Sequence, residues 1–107
     1  MRKALTVFHL LLVVGVTTAQ NIDFTELNPG PAFFDSRNGA IASGDIDNDG
    51  DIDIFLMGKN GNSLHASLYT NDGIGNFTLV TGTSFVGLEF SKATFADIDN
   101  DGDLDLL

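Results

Sequence analysis

The residues best suited to chemistry are ten aspartates, which lie in two copies of one nine-residue stretch. The first copy, DIDNDGDID, covers residues 45–53, and the second, DIDNDGDLD, covers residues 97–105. The copies are offset by 52 residues and differ only in having Ile52 where the second has Leu104. The chain of 107 residues has a formal net charge of −10, but outside these stretches its five other acidic residues balance its five bases. The acidity therefore belongs to two sites.

The spacing of the carboxylates predicts a calcium site in each stretch, which we call the first and second aspartate loops. Aspartates at positions 1, 3 and 5 put three carboxylates inside a tight turn, and position 6 is a glycine that tolerates positive φ. Position 7 can supply a main-chain carbonyl, and position 9 supplies another carboxylate. Flexible ligation by about six or seven oxygens favours Ca²⁺ over Mg²⁺. The expected side-chain ligands are Asp45, Asp47, Asp49 and Asp53 in the first loop and Asp97, Asp99, Asp101 and Asp105 in the second. Asp51 and Asp103 are expected to offer main-chain oxygen, with their side chains facing solvent.

Other interpretations of the aspartate loops fit the sequence less well. A surface turn without an ion would leave four or five carboxylates repelling one another within each loop. An EF-hand needs a glutamate at position 12 and flanking helices, but position 12 counted from Asp45 is Leu56. A glycosidase needs two carboxyls in separate environments and a sugar-binding cleft, whereas each loop here commits its acids to one ion. We therefore predict a chain that is not an enzyme.

The N-terminus is typical of a secretory signal peptide. Arg2 and Lys3 precede a mostly apolar stretch at residues 4–16, and residues 17–19 supply small side chains for cleavage. A membrane anchor is the alternative, but a spanning helix needs about 20 apolar residues. We predict a signal peptide at residues 1–19, no stable membrane span after its cleavage, and a secreted or cell-surface chain.

The composition excludes several partners and cofactors. The chain has no cysteine, so it can form neither a disulfide framework nor a thiolate zinc site. It also has no basic patch that could neutralise phosphates, which argues against a nucleic-acid partner.

The sequence around the loops is typical of short β-strands. The run that leaves the first loop is mostly apolar and suits a strand buried on both faces. Positions 2 and 8 of each loop are apolar and are expected to point into the fold. No helical period is evident after the signal peptide. The predicted strands are residues 40–43, 52–57, 63–70, 77–80 and 93–96.

The repeat extends beyond the aspartate loops. Phe33 anticipates Phe85 at the same offset of 52 residues. A period near 50 residues, with several short strands in each unit, is typical of a β-propeller blade. We predict a first repeat at residues 24–76 and an incomplete second repeat at residues 77–107. Because about three units are needed to bury the apolar faces of such an array, we expect the N-terminal fragment of a longer one.

The Asp-x-Asp-x-Asp-Gly-x-x-Asp loop between two strands resembles the calcium loop of FG-GAP repeats. The flanking residues 39–44 and 68–73 look more like the VCBS-type branch, and the resemblance covers about residues 24–107. It implies an all-β propeller with calcium in several inter-strand loops. It also implies an extracellular role in adhesion or ligand binding, or as a support module. The Phe-Gly and Gly-Ala-Pro signatures of the integrin form are absent, so integrin-like ligand recognition is not implied.

The sequence is compatible with two functions. The first is a secreted or surface calcium-binding module, not an enzyme, whose calcium is structural and whose partner is an extracellular protein or carbohydrate. The second is the scaffold part of a secreted carbohydrate-active enzyme with a catalytic domain beyond residue 107. Further sequence beyond that residue would distinguish them.

Overall fold

Short segments of apolar and polar residues, separated by turns rich in glycine, asparagine and aspartate, fold into antiparallel strands. The computed structural model describes residues 33–107. Four strands form one sheet in which neighbours in sequence are neighbours in space. They are β1 (Arg37–Gly44), β2 (Asp53–Asn60), β3 (Ser63–Asn71) and β4 (Phe77–Leu79).

Two further short strands, β5 (Phe95–Ala96) and β6 (Asp105–Leu106), form a second antiparallel pair. Residues 33–107 contain no helix, and so none that is long and apolar enough to cross a membrane. The all-β prediction is confirmed, and the four-stranded antiparallel sheet has the arrangement of a propeller blade. The predicted signal peptide and the first nine residues of the predicted first repeat lie outside the described residues.

One face of the sheet, which we call the core face, carries the buried apolar residues. Phe55 and Met57 of β2 are 3% and 6% exposed, and Ala42 of β1 packs beside them. The register explains this cluster, because Ala42 lies opposite Phe55, which in turn lies opposite Leu68 of β3. Side chains two residues apart on a strand share a face, so these positions form one continuous apolar surface.

The chain that follows β4 covers this core face. The ring of Phe85 lies edge-on to Phe55, with 5.1 Å between the ring centroids. The Ser91 hydroxyl donates to the sulfur of Met57 over 3.6 Å. Phe95 of β5 and Leu106 of β6 pack against the same cluster. The core of the first sheet is therefore closed by the strands that carry the second aspartate loop.

The opposite face of the sheet is only partly covered. Tyr69 is 3% exposed and packs against Phe33, with ring centroids 4.8 Å apart. Ile41, however, is 63% exposed, and Leu56 opposite it is half-buried. The prediction that β2 is buried on both faces is wrong within residues 33–107, because the ring of Phe33 lies over the Tyr69 end of this face only.

Gly44, the last residue of β1, lets the second strand pair approach closely. A Cβ atom at residue 44 would lie 2.9 Å from Cδ1 of Leu104 and 3.2 Å from Cδ2 of Phe95. Contacts that short force at least one neighbour to move. A side chain at this position would therefore have to displace the side chains of Leu104 and Phe95, which belong to the second strand pair and its loop.

Gly44→Val is expected to lower the free energy of unfolding by about 1–3 kcal/mol, the usual cost of overfilling a packed contact. Ser43→Val is the matched control, because Ser43 is the exposed neighbour on the same strand and valine suits a strand. Urea denaturation followed by circular dichroism would measure both variants. Equal stability of the two would contradict this account of how the strand pairs pack.

Candidate metal centre

Each aspartate loop joins two paired strands, so its first and ninth residues are held close together. In the first loop Gly44 of β1 lies opposite Asp53 of β2. In the second loop Ala96 of β5 lies opposite Asp105 of β6. The antiparallel ladder closes the base of each loop, and the carboxylates between are confined to one tight turn.

Backbone amides inside the first loop donate to its carboxylates. Asp45 accepts from the amide of Asp49 at 3.0 Å and from that of Gly50 at 2.8 Å. Asp49 in turn accepts from the amide of Asp51 at 2.9 Å. These are hydrogen bonds to charged acceptors, which are stronger than bonds between neutral groups. They offset part of the repulsion among the aspartates and fix the curve of the turn.

The second loop repeats this geometry closely. Asp97 accepts from the amides of Asp101 and Gly102 at 3.0 and 2.9 Å, and Asp101 accepts from Asp103 at 2.9 Å. The nearly identical sequences therefore adopt one conformation in two different settings.

Two residues in each loop adopt positive φ. The glycine at position 6 does so as predicted, with φ of 94° at Gly50 and 98° at Gly102. The asparagine at position 4 does so as well, with φ of 59° at Asn48 and 61° at Asn100. Sequence reasoning missed the asparagines, although asparagine is among the few residues that tolerate the left-handed region.

The structure brings three carboxylates together in each loop. Oxygen atoms of Asp45, Asp47 and Asp49 all lie within 4.8 Å of one another. In the second loop the group is Asp97, Asp99 and Asp105. The predicted ligands Asp53 and Asp101 lie outside these groups, so a different three of the four predicted positions lie close together in each loop.

Asp53 has a structural role that sequence reasoning missed. Its side chain is fully buried, and its two carboxylate oxygens accept from the amides of Ile46 and Asn71, each at 2.8 Å. It thereby joins the start of the first loop to the end of β3. Asp105, the equivalent residue, is half-buried and its side chain accepts only from the amide of Ile98, at 3.0 Å, among the described residues.

The two aspartates at position 7 differ in their surroundings. Asp51 is half-buried, and its carboxylate lies so close to Gly73 that a Cβ there would be 2.6 Å from Oδ2. Asp103 is exposed, as expected, but its Oδ1 accepts a hydrogen bond from the side-chain amide of Asn48 at 2.7 Å. The expectation of a solvent-facing side chain is wrong for Asp51, because the loop between β3 and β4 lies against it.

The apolar residues at loop positions 2 and 8 differ in how exposed they are. Leu104 is half-buried and lies against Gly44, as expected. Ile52 and Ile98 are 54% and 59% exposed, so the prediction that they point into the fold is wrong within the described residues. Leu104 differs because β1 of the preceding strand pair lies beside it.

The pKa values reflect how closely the acids are crowded. Partial removal from water raises the pKa of Asp47, and the neighbouring Asp49 raises it further. Partial removal from water also raises the pKa of Asp51, followed by repulsion from Asp49. In the loop between β3 and β4, hydrogen bonds from Asn76 lower the pKa of Asp72 despite some removal from water. The first loop thus favours neutralisation of its charge, whereas Asp72 is stabilised as an anion.

This arrangement fits a hard divalent cation. All the grouped donors are carboxylate oxygens, the ligand type that such cations prefer, and the loops are mostly exposed, so an ion can enter. The crowded negative charge would be relieved by a bound cation. The residues therefore meet the chemical requirements of the predicted calcium sites.

Asp53→Ala should lower the free energy of unfolding by about 3 kcal/mol, because it removes the acceptor of two backbone amides at a buried position. Asp105→Ala is the matched control at the same loop position and should cost clearly less. Denaturant unfolding in the presence of chelator would isolate this structural effect from any bound ion. A loss for Asp105→Ala as large as that for Asp53→Ala would contradict the proposed difference.

Without divalent cations, Asp51→Asn should raise the melting temperature at pH 7 and Asp72→Asn should lower it. A raised pKa means that the stabilising contribution of Asp51 is present below its ordinary pKa and is lost as pH rises through the folded value. The pKa of Asp72 is lowered, so its stabilising contribution is present above its ordinary pKa. That contribution is lost as pH falls through the pKa of the folded state. Thermal melts in chelator between pH 3 and about pH 7 would test both signs. The same direction of shift for both variants would refute the assignment.

Comparison with known proteins agrees with this geometry. Residues 45–107, from the start of the first aspartate loop onwards, match the family model of the FG-GAP-like repeat. No curated protein and no solved structure matches the chain. FG-GAP repeats are generally scaffold modules without catalytic activity, often bind Ca²⁺ and are typically extracellular or on the cell surface. Since the match covers more than half of the chain and the sheet has the form of a propeller blade, the chain belongs to the FG-GAP-like repeat family.

Proposed function

We propose that both aspartate loops bind calcium and that this calcium stabilises a β-propeller-type module without catalytic activity. The observation that carries the proposal is that each loop gathers three carboxylates within 4.8 Å of one another at the end of a strand pair. Among residues 33–107 no basic side chain pairs with these carboxylates, since the one ion pair there joins Lys59 to Glu89. A divalent cation would supply the missing positive charge.

The position of the loops gives the ion a structural role. In the first loop it would connect the end of β1 to the start of β2, and in the second the end of β5 to the start of β6. Residues proposed to hold it are Asp45, Asp47, Asp49 and Asp53 in the first loop and Asp97, Asp99, Asp101 and Asp105 in the second. Asp51 and Asp103 would contribute main-chain oxygen. Because the ion binds only the folded loop, it stabilises the fold by mass action, by about 2.7 kcal/mol at 100 times the dissociation constant.

The proposed setting is outside the cell. The signal peptide predicted at residues 1–19 and the usual location of FG-GAP repeats support a secreted or surface chain. In such a setting the chain would contribute to adhesion or ligand binding, with an extracellular protein or carbohydrate as partner. Extracellular calcium is abundant enough to fill sites of modest affinity, with dissociation constants of about 10⁻⁴ to 10⁻³ M.

Calcium added to the chelator-treated chain should raise its melting temperature by about 5 °C or more, and Mg²⁺ at the same concentration should raise it less. Calorimetric titration should show two binding events. Asp47→Ala should weaken the first-loop event at least about tenfold by removing one of its three grouped carboxylates. Asp35→Ala, an exposed acid outside the loops, should leave both events intact.

The absence of any melting shift, together with the absence of binding heat, would refute the structural-calcium proposal. If Asp35→Ala weakened binding as much as Asp47→Ala, the ion would be held by overall negative charge and not by the loops.

A further inference from the structure

The two aspartate loops touch through one side-chain hydrogen bond. The side-chain amide of Asn48, at position 4 of the first loop, donates to Oδ1 of Asp103, at position 7 of the second, over 2.7 Å. The two residues are 55 positions apart in the chain. Within residues 33–107 this is the one side-chain hydrogen bond that crosses between the loops. The loops are therefore in physical contact.

The conformation of Asn48 leaves its side-chain amide free to donate to Asp103. Its φ of 59° places it in the left-handed region, and its side chain makes no hydrogen bond within its own loop. Asn100 occupies the same position of the second loop with a φ of 61°, but its side chain makes no hydrogen bond among the described residues. The chain thus provides two asparagines in the same conformation, of which one joins the loops and the other does not.

Asp103 connects the contact with Asn48 to the rest of the second loop. Its backbone amide donates to Asp101 Oδ1 at 2.9 Å, inside the loop. Leu104, the next residue, lies against Gly44 at the base of the first loop. Asp103 is therefore restrained on three sides, by its own loop, by Asn48 and by the packing of its neighbour. Any ligand oxygen that its main chain offers is positioned by these restraints.

We propose that Asn48 is a positioning residue for the second loop, which makes calcium binding by the first loop strengthen calcium binding by the second. The inference rests on the proposed function of the loops. An ion in the first loop would order the turn that holds Asn48 in the left-handed conformation. The ordered amide then restrains Asp103, so the second loop loses less conformational freedom when it closes on its own ion. Linkage requires the effect to be reciprocal.

The expected size of the coupling follows from the type of contact. A hydrogen bond from a neutral amide to a carboxylate on an exposed surface is worth about a fivefold change in affinity. Asn48→Gly removes the donor, and glycine keeps the left-handed conformation without strain. Asn100→Gly is the matched control, because it makes the same change at the same loop position with the same φ.

Two glycine amides report separately on the loops. The amide of Gly50 donates to Asp45 in the first loop, and that of Gly102 donates to Asp97 in the second. Their nuclear magnetic resonance signals, followed during a calcium titration of the full chain, give an affinity for each loop. Asn48→Gly should weaken calcium binding at the second loop about fivefold, whereas Asn100→Gly should leave the first loop within twofold of the unmodified chain.

Changes at Asp103 separate the hydrogen bond from a general loss of structure. Asp103→Asn keeps an acceptor oxygen, so adding Asn48→Gly to it should still weaken the second loop. Asp103→Ala removes the acceptor, so adding Asn48→Gly to it should have no further effect there. An equal effect of Asn48→Gly in both backgrounds would overturn the proposal, as would an unchanged second-loop affinity in Asn48→Gly alone.

The outcomes distinguish this inference from the function on which it rests. If neither glycine signal moves when calcium is added to the unmodified chain, calcium binding itself is refuted and the coupling with it. If both signals move but Asn48→Gly changes only the first loop, calcium binding stands and the coupling is overturned.

Discussion

Repulsion among five carboxylates within nine residues is the constraint on which the rest of the structure depends. The turn contains it with its own backbone, whose amides donate to Asp45 in the first loop and to Asp97 in the second. Two residues of each turn adopt positive φ, which helps to curve the backbone around these carboxylates. The antiparallel strands then hold the ends of the turn together. The backbone amides leave a net negative charge in the turn, and a divalent cation is the kind of ligand that such a charge favours.

Packing between successive strand pairs follows from the same arrangement. The core face of the first sheet is closed by Phe85, Phe95 and Leu106, which flank the second loop in the sequence. Gly44 sits where the two strand pairs meet, and its missing side chain lets Leu104 approach the base of the first loop. The second loop is therefore placed beside the first by hydrophobic burial, which is the larger force. The hydrogen bond between Asn48 and Asp103 sets the final alignment of two loops that packing has already brought together.

Much of the fold was predictable because its signals are local. Apolar runs bounded by turn residues located β1 to β4, and the recurrence of one nine-residue pattern located both loops and the glycine at position 6. How far each face of β2 is buried could not be inferred from its apolar run, because burial depends on what covers each face. Ile41 of the neighbouring strand, on the partly covered face, is 63% exposed. Asp51 contacts Gly73, and Asp53 is buried against Asn71. Both contacts come from the end of the sheet where β3 leads into β4. The periodicity of the sequence does not predict where that end lies relative to the first aspartate loop. The signal peptide, the repeat boundaries and the ligand set stay predictions.

Nearly identical sequences do not make equivalent sites, and Asp53 and Asp105 show why. Both occupy position 9, and both accept from the amide at position 2 of their own loop. Asp53 also accepts from Asn71 at the end of β3, and it is fully buried, whereas Asp105 has no such second amide among the described residues. A carboxylate whose two oxygens each accept from a backbone amide is fixed in place, and the carboxylate of Asp53 lies outside the close group of its loop. The freer Asp105 lies inside the close group of the second loop. The sheet around a loop thus decides which of its carboxylates lie close together and which join one strand to another.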